Sequence, residues 1–144
     1  MPSPTLRRSF YPESYHHIYN RGIRKLPIFL KEKDYWIFRR YCNETLERFE
    51  GDVTILAFAL LENHFHLLLF QESERGISKF MRSFVAKYRR YIKEKYHIDG
   101  PFFGARYQSK VIKKPSEIEK IRKYILNNPI EAGLTDWPHV GSKM

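Results

Sequence analysis

The sequence is poor in cysteine, in acidic residues and in long apolar runs, and each shortage excludes a class of protein. Its single cysteine, Cys42, rules out an internal disulfide and a cysteine-rich zinc site, and it fits a reducing cytoplasm. No apolar stretch suggests a membrane span or a signal peptide, so we expect a cytoplasmic protein with no membrane partner. Repeats, low-complexity tracts and linkers are also missing. The 144 residues, 42% of them hydrophobic, therefore predict one domain over residues 1–144.

Acidic residues are outnumbered by basic ones, with 16 Asp and Glu against 26 Lys and Arg and a formal net charge of +10. This excess favours a polyanionic partner such as a nucleic acid, and an aromatic content of 16% suits base stacking as well as core packing. Residues 1–11 are predicted to form a loosely held basic arm. Residues 77–96 are predicted below to form a helix rich in basic residues. We interpret these residues as a phosphate-binding face, and the alternative is an ordinary solvent-exposed face. The candidate phosphate contacts are Arg21, Arg82, Lys87, Arg89, Arg90, Arg106, Lys110 and Lys120.

Residues 53–70 form the most informative stretch, an apolar β-rich run broken once by Glu62 and Asn63. The pattern predicts two strands joined by a tight turn at this break. Because side chains alternate between the faces of a strand, His64 and His66 point to one side and Phe65 to the other. Two imidazoles side by side on a rigid sheet are half of a divalent-metal site. The alternative is that the two histidines lie on a solvent-exposed face of the sheet. Three leucines follow directly, however, and indicate a central strand, where polar side chains are costly unless they bind a partner.

The remaining elements follow from periodicity and from helix-breaking residues. Strands are predicted at residues 14–22 and 106–113, and helices at residues 33–50 and 77–96. A third helix begins near residue 115 and is predicted to end at Asn128, because the residue before a proline resists the α conformation. The last fifteen residues look irregular. This order predicts an α+β, ferredoxin-like split βαβ fold, a four-stranded antiparallel sheet with helices on one face, plus an extra C-terminal helix.

The third helix supplies further candidates for the histidine site. Tyr124 and Asn128 lie one turn apart, on the flank of an isoleucine stripe, where side chains can face the sheet without being lost in the core. Asn128 offers an amide oxygen, a ligand that suits magnesium or manganese beside imidazoles. Tyr124 is the candidate nucleophile, activated by the metal or by Lys120. The alternative for Tyr124 is a packing residue, one of ten tyrosines.

Four stretches carry a resemblance to a known family: YHHIYNRGIRKLPIF, ALLENHFHLLLF, FFGARYQSKVI and YILNNPIEAGL. On these motifs the chain resembles the single-tyrosine transposases of the HUH endonuclease superfamily, most closely the REP-associated, IS200-like tyrosine transposases. The resemblance implies that His64 and His66 bind Mg²⁺ or Mn²⁺, that Asn128 is a third polar ligand and that Tyr124 is the nucleophile. It also implies that the protein nicks and rejoins single-stranded hairpin DNA through a covalent 5′-phosphotyrosine.

Other functions and two oligomeric states stay open at this point. A non-catalytic single-stranded nucleic-acid-binding module would use Tyr15, Tyr19 and Tyr107 as stacking platforms. A replication-initiator nickase would keep the same site, but the chain lacks a helicase portion. Relatives often use a longer C-terminal helix to exchange active sites within a dimer, so the short segment after Asn128 leaves both a homodimer and a monomer open.

Overall fold

The structure, a computed structural model, describes residues 12–144, and the basic arm predicted for residues 1–11 lies outside this part of the chain. Besides a short 3-10 turn at Ile23–Lys25, it contains three helices and five strands. No helix within the described residues combines the length and the apolar character needed to cross a bilayer. In chain order the elements are β1 Ser14–Arg21, α1 Glu32–Arg48, β2 Val53–Leu61, β3 His64–Gln71, α2 Gly76–Tyr96, β4 Gln108–Ile112, α3 Pro115–Glu131 and β5 Val140–Gly141.

The strands form one antiparallel sheet in the order β4-β1-β3-β2-β5. The first four strands have the split βαβ arrangement, which confirms the predicted α+β, ferredoxin-like fold. The predicted strand count was wrong by one, because Val140 and Gly141 pair with Ala59 and Phe58 at the outer edge of β2. A strand of two residues is too short to produce an alternating pattern, so the sequence of the tail carries no visible signal for it.

The hairpin β2–β3 has the predicted turn at Glu62 and Asn63, with Leu61 paired to His64. Its alternation divides the sheet into two differently covered faces. On the first face, Phe65 and Leu67 are fully buried in the main core, against side chains of α1 and α2 such as Phe38 and Phe84. These two helices therefore cover one face of the sheet, as the prediction required.

The extra helix α3 packs on the opposite face of the sheet. Ile125 of α3 is fully buried there, in a second, smaller core with Ala57 and Ala59 of β2 and Leu68 of β3. Since His64 and His66 share the face of Leu68, the two imidazoles lie on the side of the sheet that α3 covers.

The predicted end of α3 at Asn128 was wrong, because the helix continues through Pro129 to Glu131. A proline inside a helix lacks the N–H that would bond to the carbonyl four residues earlier, and here that loss falls within the last turn, where Pro129 is buried. The helix ends just before Gly133, which has a φ of 83°. Tyr124 and Asn128 are thus carried one turn apart on the same continuous helix.

Candidate active site

A cavity of about 920 Å³ lies between α3 and the sheet, and it brings the predicted site residues together. His64 and His66 line it from β3, and Tyr124 and Asn128 line it from α3. Tyr124 is 46% exposed, whereas His66 is only 7% exposed. The cavity therefore presents an accessible phenol beside the His66 imidazole, which is largely shielded from water.

His64 faces an amide oxygen at each ring nitrogen. Its Nδ1 lies 2.8 Å from Oδ1 of Asn63, and its Nε2 lies 3.1 Å from Oδ1 of Asn128. Burial lowers the pKa of His64, and the hydrogen bond to Asn128 opposes that shift, so the ring is neutral at neutral pH. A neutral imidazole has one N–H, so it can donate to only one of these two oxygens. In the tautomer that donates to Asn63, the Nε2 lone pair faces the Asn128 oxygen, a pairing that a cation bound to both atoms would relieve.

The separation of these two atoms fits neighbouring ligands of one small cation. Octahedral Mg²⁺ with bonds of about 2.0–2.1 Å places adjacent ligand atoms roughly 3 Å apart, close to the 3.1 Å between His64 Nε2 and Asn128 Oδ1. Within residues 12–144, no group of three or more His, Cys, Asp or Glu side chains could hold a metal. A metal at this site would therefore depend on the mixed set of His64, His66 and the Asn128 amide.

His17 of β1 is a member of the site that the sequence analysis did not assign to it. Its Nε2 lies 3.0 Å from Nδ1 of His66, and the two rings stack with centroids 5.2 Å apart. Burial, followed by the charge of Lys110, lowers the pKa of His17 to about 4. Burial and then the neighbouring His17 lower the pKa of His66 to about 3. Both rings are therefore neutral at neutral pH and share one N–H in their hydrogen bond, which leaves Nε2 of His66 outside it.

The ring of Tyr124 lies next to both of these rings. Its ring centroid is 5.7 Å from that of His66 and 6.0 Å from that of His17, each in a T-shaped arrangement. Because Asn128 is one helical turn further along α3, the phenol and the amide approach the histidines from the same helix. The nucleophile candidate thus borders the candidate metal ligands directly.

The cations of the cavity are only in part those that the sequence suggested. Arg21 and Lys110 line it as predicted, whereas Lys120, the suggested activator of Tyr124, does not. Arg24 and Lys25 line it unexpectedly, from a turn in which both have positive φ angles, 53° and 62°.

That turn depends on the glycine that precedes it. A Cβ at Gly22 would lie 2.0 Å from the carbonyl oxygen of Leu26, so only glycine allows so close an approach. The cavity edge that carries Arg24 and Lys25 is therefore set by the backbone of this turn, which hydrophobic periodicity does not reveal.

The other predicted phosphate contacts lie outside this cavity. Arg82, Arg89 and Arg106 line a second cavity, and Arg106 precedes β4 instead of lying within the predicted strand. Lys87 is paired with Glu44 at 3.2 Å. Arg90 is exposed on α2 and lines neither cavity.

Comparison with known proteins places this chain among transposases. A family model described as "Transposase IS200 like" matches residues 10–128. A REP-associated tyrosine transposase, solved bound to a REP hairpin, is similar in structure with a TM-score of 0.75 and 16% identity, covering 97% of this chain and 82% of that one. A putative transposase from Deinococcus radiodurans is similar with a TM-score of 0.52 and 16% identity, covering 81% of this chain and 92% of that one. No curated protein sequence matches significantly. Since the family model covers most of the sequence, this chain belongs to the IS200-like transposase family.

Proposed function

We propose that this transposase cleaves and rejoins single-stranded hairpin DNA, with Tyr124 as the nucleophile and a divalent cation, Mg²⁺ or Mn²⁺, as the cofactor. The observation that carries the proposal is the convergence of Tyr124, His64, His66 and Asn128 on one cavity. The similar REP-associated transposase was solved with a hairpin bound, which supports hairpin DNA as the substrate class here.

In the cleavage step, the phenol oxygen of Tyr124 attacks the phosphorus of a phosphodiester. The bond between phosphorus and the 3′-oxygen breaks, the phenol loses its proton, and the leaving 3′-oxygen gains one to become a free hydroxyl. The 5′-phosphate is then held as a phosphotyrosine. Because a phosphodiester replaces a phosphodiester, a second 3′-hydroxyl can reverse the step and rejoin the strand elsewhere.

The remaining residues of the cavity position the phosphodiester and stabilise its charge. His64, His66 and Asn128 would hold the divalent cation, which when bound withdraws negative charge from the phosphoryl oxygens. Arg21 and Lys110 supply fixed positive charge at the same cavity, where a DNA backbone would pass. No acidic side chain stands among the described residues lining the cavity, so nothing there repels the substrate.

The decisive experiment is the formation of a covalent adduct. Wild-type protein is incubated with labelled hairpin oligonucleotides and Mn²⁺ and then run on a denaturing gel. The Tyr124→Phe variant should bind the DNA with unchanged affinity and form no adduct, whereas the control Tyr41→Phe should form as much adduct as the wild type, because Tyr41 lies outside the cavity. An adduct with the Tyr124→Phe protein would remove Tyr124 as the nucleophile. Binding without any adduct in the wild type would favour a non-catalytic module.

A further inference from the structure

A second cavity, of about 720 Å³, lies between α2 and the segment that leads into β4. Among the described residues that line it there is no Asp or Glu. Basic and aromatic side chains stand there together instead: Arg82, Arg89, Lys93, Phe103, Arg106 and Tyr107. A cavity of this composition suits a ligand that is both anionic and aromatic.

Three of these cations form a row on one face of α2. Arg82, Arg89 and Lys93 are spaced by seven and four residues, which keeps them on the same side of a helix. At 1.5 Å per residue, Arg82 and Arg89 are about 10 Å apart along the axis. The three cations therefore lie in a line along the helix axis, which is the arrangement that contacts to successive phosphates of one DNA strand require.

The arginines of the cavity are not neutralised within the described part of the protein. Arg82, Arg89 and Arg106 are exposed, and none forms an ion pair with a carboxylate of residues 12–144. Two other cations of α2 are paired, Lys87 with Glu44 at 3.2 Å and Lys95 with the buried Asp34 at 3.1 Å. The charge facing the cavity is thus available to a ligand.

The second cavity shares a boundary with the candidate active-site cavity. Asn20 and Ala105 line both cavities, and Nδ2 of Asn20 donates a hydrogen bond to the Ala105 carbonyl at 3.1 Å. The backbone N–H of Gly104 donates to the carbonyl of Arg21 at 3.0 Å, which ties the same segment to the end of β1. A strand leaving the Tyr124 cavity over Ala105 would enter the second cavity directly.

We propose that the second cavity binds a nucleotide of single-stranded DNA adjacent to the phosphodiester that Tyr124 attacks. Arg82, Arg89 and Arg106 contact its backbone phosphates, and the half-buried ring of Tyr107 stacks on its base. Duplex DNA does not suit the cavity, because a paired base keeps both faces inside its own stack. This inference rests on the proposed function for the position of the cleaved strand, whereas the binding itself needs no chemistry.

The test uses the full chain carrying Tyr124→Phe, so that binding is measured without cleavage. The probe is fluorescent oligothymidine of about 12 nucleotides, followed by anisotropy over a range of salt concentrations. Adding Arg82→Gln and Arg89→Gln should weaken binding roughly tenfold and should lower the salt slope by about 1.4, since each phosphate contact to a single strand contributes about 0.7. Tyr107→Leu should weaken binding roughly tenfold, and Tyr107→Phe should keep it.

The matched control replaces Lys79 and Arg90 by glutamine, which removes the same charge from the same helix outside the cavity. An equal loss in both double variants would overturn the proposal in favour of general electrostatics. Full affinity in Tyr107→Leu, or a larger effect on duplex DNA or oligouridine than on oligothymidine, would overturn it as well. The adduct assay on the wild type is scored separately. If the cavity variants weaken binding but the wild type forms no adduct, only the catalytic proposal is rejected. If the wild type forms an adduct but the cavity variants bind normally, only the proposal for the second cavity is rejected.

Discussion

Nε2 of His17 and Nδ1 of His66 are hydrogen-bonded at 3.0 Å, across two neighbouring strands of the sheet. When Nδ1 of His66 carries the shared proton, its Nε2 is a free lone pair, the form in which a histidine ligates a metal. In this tautomer His17 would orient His66 for a metal ion without itself being one of the three candidate ligands.

Replacing His17 by phenylalanine should raise the Mn²⁺ concentration needed for half-maximal adduct formation by about 10–100-fold, the usual effect of losing a partner that orients a metal ligand. His17→Gln keeps a side-chain acceptor and should lose less. The measurement is a Mn²⁺ titration of the adduct yield, with thermal unfolding to check that each variant is folded. An unchanged midpoint in a folded His17→Phe protein would show that His66 is oriented without His17.

Replacing Asn128 should reduce adduct formation, whereas replacing its neighbour Asn127 on the same helix should not. Asn128→Ala removes an oxygen that lies 3.1 Å from His64 Nε2, so adduct formation should fall at least roughly tenfold. Asn128→Asp retains an oxygen and should keep Mn²⁺-dependent activity. Asn127→Ala is the control, because Asn127 is exposed and outside the cavity. Equal activity of the two alanine variants would exclude the amide as a ligand, and chelation by EDTA should abolish the wild-type activity.

The two lysines considered for the site should differ in their effect on DNA. Lys110 lines the cavity and Lys120 does not, so Lys110→Gln should lower the salt slope for single-stranded DNA by about 0.7, with a smaller change for Lys120→Gln. Anisotropy at several salt concentrations measures both slopes. A larger effect of Lys120→Gln would restore it as the cation beside Tyr124.

Acid should destabilise the protein below a pH of about 6.5, because His17 and His66 have pKa values lowered to about 4 and about 3. Between these values and the ordinary 6.5, the unfolded chain binds protons that the folded chain does not, so stability rises with pH across this range and is lost on acidification. The loss at a pH of about 5 is on the order of 2 kcal/mol for a histidine whose pKa is lowered from 6.5 to about 4, as that of His17 is. Thermal unfolding at neutral and acidic pH measures it, and His17→Gln should reduce the difference. A melting temperature that is higher in acid would contradict this account.

Local patterns were sufficient for the hairpin and for the side chains on its two faces. The apolar alternation around Glu62 and Asn63 predicts both strands, and helical spacing alone places Tyr124 beside Asn128. Each of these relations lies within one element or across one tight turn. The structure keeps them because burial on both sides of the sheet enforces the register.

Contacts between residues far apart in the sequence could not be predicted from such local patterns. The contact of His17 with His66 depends on how β1 pairs with β3, which the sequence of either strand alone does not specify. Pro129 was misjudged because a general preference against helix before proline was overridden by the burial of the last turn. The second cavity needs the path of residues 100–107 across α2, which no periodicity encodes.

The C-terminal segment lies along part of the outer edge of β2. The N–H of Leu60 donates to the carbonyl of His139 at 2.8 Å, and the indole of Trp137 donates to the carbonyl of Leu60 at 2.7 Å. This segment therefore covers the outer edge of β2 at Phe58 and Ala59, and the opposite edge strand, β4, carries the exposed Lys110, a residue type that disfavours strand addition. Residues 137–141 thus occupy part of one sheet edge, whose backbone groups would otherwise be free to pair with a strand of another molecule.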